Sequence, residues 1–142
     1  MSVAIYPAFF FTVALLFTTA YFLLGGLPLL VLEHDIPLDA QFIRRFFEVY
    51  YHTAFWTAVG ACVSYALWGR YAFAVGAAGL AGLAVLLRRS LLPAMQQLGQ
   101  QIQNAHADAI RRFRRVHATA LLLNVLQLAA VVYGTLQLSR AL

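Results

Sequence analysis

An all-α, four-helix transmembrane bundle is predicted for this 142-residue chain, and three observations predict it. Hydrophobic residues make up 63% of the chain and charged residues 11%, with mean hydropathy +0.77. A water-soluble domain carries roughly 25% charged residues, so no ordinary water-facing surface can be built from this composition. Four apolar stretches are each long enough, at ~1.5 Å per helical residue, to cross a hydrocarbon layer of about 30 Å. The ten basic residues are all arginine and mostly flank those stretches, as in a helix entering a bilayer from its positive side.

The formal charge of +5 and a pI near 9.9 are therefore explained by membrane anchoring, and no nucleic-acid partner is expected. The single cysteine, Cys62, excludes an intrachain disulfide and reads as a small apolar packer. Richness in Ala, Leu and Arg without lysine suggests a bacterial source.

The lead up to Pro7 lacks the basic region of a signal peptide. The first span is predicted over 9–32. Gly25, Gly26 and Pro28 lie in its last third, where proline removes a backbone donor, so a kink or an early end is expected there, as shape alone or as a hinge or pocket. Glu33 to Pro37 form a polar turn, and Asp39 stands where an N-cap would open the second helix. That helix spans 42–68, and its amphipathic opening carries Arg44, Glu48 and His52 at successive four-residue steps. Trp68, Arg70 and Tyr71 make a tight turn at the far interface.

The third span is predicted over 71–92. Gly76, Gly79 and Gly82, with Ala72, Ala78 and Ala81 beside them, give it small-xxx-small spacing that lets backbones meet. It is expected to be the packed centre of the bundle. Arg88 and Arg89 close it, and Pro93 marks a kink or its boundary. A polar stretch over 93–115 follows, with Leu98, Ile102, Ala105, Ala109 and Phe113 at helical intervals, so it reads as extensions of the third and fourth helices around a turn near 99–106. The fourth span runs over 116–138, behind the basic cluster Arg111, Arg112, Arg114 and Arg115.

Eight arginines (those four with Arg44, Arg45, Arg88 and Arg89) fall on one side of the membrane, against Arg70 and Arg140 on the other. The positive-inside rule makes the eight cytoplasmic and both termini periplasmic, in a bacterial inner membrane. The five acids, Asp35 among them, and the four histidines, His106 among them, also lie at or near the cytoplasmic end.

Any function is expected there. His117, Asn124 and Gln127 recur at spacings of seven and three on the fourth helix, and such a stripe in hydrocarbon has to face protein or water. Glu48 and His52 of the second helix could face His117 and Asn124 across one polar patch. The same residues also admit a structural role: Glu48 paired with a neighbouring arginine, His117 on a carbonyl, Asn124 bridging helices. A sharper reading takes His52 and His117 as axial ligands of a haem, or as metal ligands with Glu48. No cofactor follows from the motifs themselves, because CxxCH, HExxH and cysteine pairs are lacking. A proton or small-molecule path is a third reading, requiring an oligomer in the absence of an inverted repeat. No GxSxG, phosphate-binding glycine loop or spaced carboxylate pair points to a soluble enzyme.

Phe113, His117 and Asn124, within FRRVHATALLLNVLQ, fit a Phe four residues before a His with an Asn seven after it. This resembles the last-helix signature of the small four-span membrane proteins related to transmembrane protein 205, the domain of unknown function numbered 4149. LLPAMQQL with Pro93 is similar to the end of that family's third helix, and Gly26 with Pro28 is compatible with its first. The resemblance implies a fold and leaves the activity open. The favoured reading is a non-catalytic accessory or assembly subunit of a larger membrane complex, contacting the lipid bilayer and either a membrane-protein partner or further copies of itself. An aromatic first helix (Phe9, Phe10, Phe11, Phe17, Tyr21, Phe22) supplies contact surface for lipid or protein.

Overall fold

The computed structural model describes residues 3–34, 36–104 and 107–140. They form four helices: α1 (Ile5–Leu29), α2 (Pro37–Trp68), α3 (Tyr71–Gln103) and α4 (Ala107–Arg140). Asp35, His106 and Ala105, which entered the sequence reading, lie outside the described residues. The chain runs up and down, so the end of α1, the start of α2, the end of α3 and the start of α4 lie at one end of the bundle, and the start of α1 and the end of α4 at the other. Extensive contacts join α2 to α3 and α1 to α2, and α4 closes the ring against α3 and α1. The most contacted helix is thus α2, rather than α3 as expected.

Helix ends follow local chemistry. Pro37 takes the first position of α2, where its missing N–H and fixed φ fit a helix start, after an extended Ile36 (φ −106°, ψ 141°). Asp39 therefore lies inside the first turn, not at the cap, and its charge opposes the positive end of the helix dipole. At the other end Gly69 adopts φ 80°, its N–H bonding the Ala66 carbonyl at 3.1 Å while the Arg70 N–H bonds that of Tyr65 at 2.9 Å. This left-handed closure satisfies two terminal carbonyls and suits only glycine cheaply. The Arg70 guanidinium then lies 5.2 Å from the Trp68 ring centre.

The third helix passes through Pro93 without ending and continues to Gln103, as the extension expected beyond the span; of the two readings of Pro93, the helix boundary is absent. With 33 and 34 residues, α3 and α4 are each about 50 Å long, which exceeds the hydrocarbon layer by roughly 20 Å. Three helices, α1, α3 and α4, are long and apolar enough to cross a membrane. The apolar part of α2 is diluted by Tyr50, Tyr51, His52, Thr53 and Thr57. Large apolar side chains such as Phe10, Phe17, Trp56, Val75, Leu122 and Tyr133 project outward, which suits an integral membrane protein in contact with lipid.

The interior has two textures. Near the loops it is bulky, built on Ile43, Phe47, Tyr50, Tyr51, Met95 and Phe113. Towards the termini it is built on alanines: Ala8, Ala58, Ala61, Ala74, Ala77 and Ala81. The glycines expected to mediate packing do not do so within this chain. A Cβ at Gly76, Gly79 or Gly82 would meet no atom within 4 Å, and all three face outward. Close helix approach instead occurs at Gly60, into which the Phe11 ring is set, and at Gly25 and Gly26, against Phe46 and Leu121.

Candidate functional site

The first helix ends at Leu29, one residue past Pro28, which is the early end that the sequence offered beside a kink. The Leu30, Val31 and Leu32 N–H groups bond the Leu27, Pro28 and Leu29 carbonyls at 3.1, 3.1 and 3.3 Å, and this tight turn folds the chain back over the bundle. His34 then takes φ 61°, the only non-glycine residue with positive φ among those described. Histidine tolerates that region better than most residues. The turn carries its ring inward, where His34 Nε2 and His117 Nδ1 of α4 stand 3.2 Å apart. Both histidines are wholly buried, sealed by Phe113 at 5.7 Å from the His34 ring and Phe47 at 5.6 Å from that of His117.

One nitrogen of this contact must donate and the other accept, so the two rings share a single proton between them. The outer nitrogens, His34 Nδ1 and His117 Nε2, lack a hydrogen bond of ordinary geometry. The Leu32 and Gly26 backbone groups nevertheless act on the two rings. Burial holds the His34 pKa below its ordinary 6.5; the Arg114 charge pushes the same way, while the Leu32 carbonyl and Asp39 oppose it.

Deeper in the bundle, Asn124 is 1% exposed and neither amide atom has a partner. The Tyr50 hydroxyl donates to Gln127 Oε1 at 2.7 Å, whereas that of Tyr51 is buried and unpartnered. Buried polar atoms are normally satisfied by protein or ordered water, so this cluster calls for bound water or a ligand atom. Chemically it is a set of neutral donors and acceptors able to hold a proton or orient helices. Among the described residues no three of His, Cys, Asp and Glu are arranged to hold a metal ion.

The patch expected between α2 and α4 is divided in two. His117, Asn124 and Gln127 do face the interior, but His52 is exposed beside Trp56. It lies five residues after Phe47, about 140° around the helix from the side that touches His117. An axial pair of His52 and His117 on one haem, or one metal shared with Glu48, is incompatible with that geometry. Glu48 lies with Arg44 at 3.7 Å and Arg88 at 4.0 Å, on the outside of the α2–α3 seam. Arg111, Arg112, Arg114 and Arg115 are all exposed at the start of α4.

Sequence reasoning missed His34, Tyr50 and Tyr51. His34 stood in the polar turn between Glu33 and Asp35 and was given no role; the signal that could have found it is its place shortly after the Gly-Gly-x-Pro end of the first span.

A second feature opens on the opposite half of the bundle. Between α3 and α4 runs an apolar groove of about 470 Å³, edged by Gly76, Gly79 and Gly134 and floored by Leu15, Tyr65 and Val131. Its floor is fixed by a hydrogen bond between the Thr12 and Tyr65 hydroxyls. Comparison with family models, curated proteins and solved structures finds no match to this chain.

Proposed function

We propose that this protein is a four-span accessory or assembly subunit that binds one transmembrane helix of a larger membrane complex in the groove between α3 and α4. The groove itself carries this reading. Glycines at 76, 79 and 134 have no neighbour within 4 Å of a Cβ position, while the buried face of α3 is already occupied by alanines and that of α4 by Val131 and Leu138. Small residues that face lipid without packing on their own chain are suited to the close approach of a second backbone, since apolar surface alone gives helices no reason to associate in lipid. The place of α2 between α1 and α3 along the bundle supports counting it as the fourth span. The arginine distribution supports cytoplasmic loops and periplasmic termini in an inner membrane. The resemblance at Phe113, His117 and Asn124 supports kinship with the transmembrane protein 205 relatives.

The test is association. Gly79→Leu and Gly134→Leu each start a bulky side chain from a Cβ that meets no atom of this chain within 4 Å, so each should abolish co-purification of the partner in mild detergent while leaving the protein folded. Retention of the partner by both variants overturns the proposal. Loss of a species of twice the chain mass, rather than of a different protein, replaces the partner helix by a second copy.

A further inference from the structure

On the seam between α2 and α3, at the end nearest the loops, lies a cleft of about 420 Å³ that the proposed docking function does not use. Its upper part is basic: Arg44 from α2 and Arg88 and Arg89 from α3 line it together with Glu48, three positive charges against one negative. Glu48 reaches Arg44 and Arg88 only at 3.7 and 4.0 Å, and Arg89 makes no ion pair among the described residues. The lower part is apolar, walled by Phe55, Ala84 and Val85. Tyr51 belongs to the same wall, 1% exposed and with an unpartnered hydroxyl.

We propose that this cleft binds the phosphate headgroup of an anionic glycerophospholipid, with an acyl chain running along Phe55, Ala84 and Val85. The arrangement matches an amphiphile in order: cations where a helix pair leaves the membrane, apolar wall beneath. Basic pockets between spans select anionic headgroups, and guanidinium groups match phosphate oxygens geometrically. The Tyr51 hydroxyl, buried at this wall without a partner, donates to a phosphate or ester oxygen once a lipid enters the cleft, and ceases to be an orphan. Glu48 limits affinity by engaging two of the three arginines.

The experiment measures retention of phosphatidylglycerol against phosphatidylcholine by the delipidated protein, using native mass spectrometry from detergent. The protein is expected to prefer phosphatidylglycerol. Arg44→Gln, Arg88→Gln and Arg89→Gln should each weaken it about fivefold, the equivalent of about 1 kcal/mol per cation near an anionic surface. Tyr51→Phe should weaken it by a similar factor, and Glu48→Gln should tighten it. Arg111→Gln, outside the cleft, should leave it unchanged. Equal loss in Arg111→Gln would mean diffuse surface charge and overturn the site. So would indifference to Tyr51→Phe, or equal retention of the two lipids. Displacement by millimolar inorganic phosphate would assign the cleft to a soluble phosphate instead and overturn the lipid.

Discussion

His34 and His117 bind loop to helix through one hydrogen bond inside an aromatic seal, and this has two consequences for stability. His34→Ala leaves His117 Nδ1 buried without its partner, which should cost about 1–3 kcal/mol in thermal or denaturant unfolding in detergent. Acid should have a related effect. Burial lowers the His34 pKa beneath its ordinary 6.5, so below that pH the unfolded chain binds a proton that the folded chain resists. Stability should be full above pH 6.5 and fall as pH drops beneath it, and His34→Gln should reduce the slope. A wild-type stability that rises on acidification would contradict the neutral buried pair. At this scale the sequence was informative about polarity and poor about partners. The seven-and-three spacing marked His117, Asn124 and Gln127 as one face, but His34 could not be paired with them because its position depends on where Pro28 stops α1. His52 was misplaced for a simpler reason: membrane depth alone does not fix the direction of a side chain around the helix.

For whole elements, the four helices were legible from long apolar runs and arginine flanks, whereas the face that each turns inward was not. On α3 the buried small residues are Ala74, Ala77, Ala81 and Ala84, spaced by three, four and three, which keeps to one side of a helix. Gly76, Gly79 and Gly82 recur strictly by three and drift around it, so their spacing signalled small residues without fixing their direction. Ala81→Leu, pointing into packed neighbours, should lower stability by about 1–3 kcal/mol. Gly79→Leu should leave the melting temperature of the isolated protein within error of the parent, since its side chain enters open space. A comparable loss in both would mean that α3 is rotated relative to this description. At the α2–α3 turn, Gly69→Ala should cost about 1–2 kcal/mol through its left-handed backbone even though no atom crowds it.

As a whole molecule, the protein divides its interior along the membrane normal: aromatic packing and buried polar groups near the loops, an alanine core with an open lateral groove near the termini. Composition foretold the bundle and its membrane setting. It could not foretell the groove, which arises because α3 packs closely on α2 through alanines while its glycine edge leaves the space beside α4 unfilled. If the arginine distribution sets orientation, reporter fusions should show a periplasmic C-terminus and a cytoplasmic segment at Arg111 to Arg115; a C-terminal fusion active only in the cytoplasm would invert the molecule. The docking claim is tested most directly by placing a photo-crosslinking residue at Gly79, and separately at lipid-facing Phe17, and irradiating cells that express each variant at native level. The account predicts one discrete protein adduct from position 79 that Gly134→Leu abolishes, and only lipid or diffuse products from position 17. Identical patterns from the two positions would mean that the groove faces bare lipid.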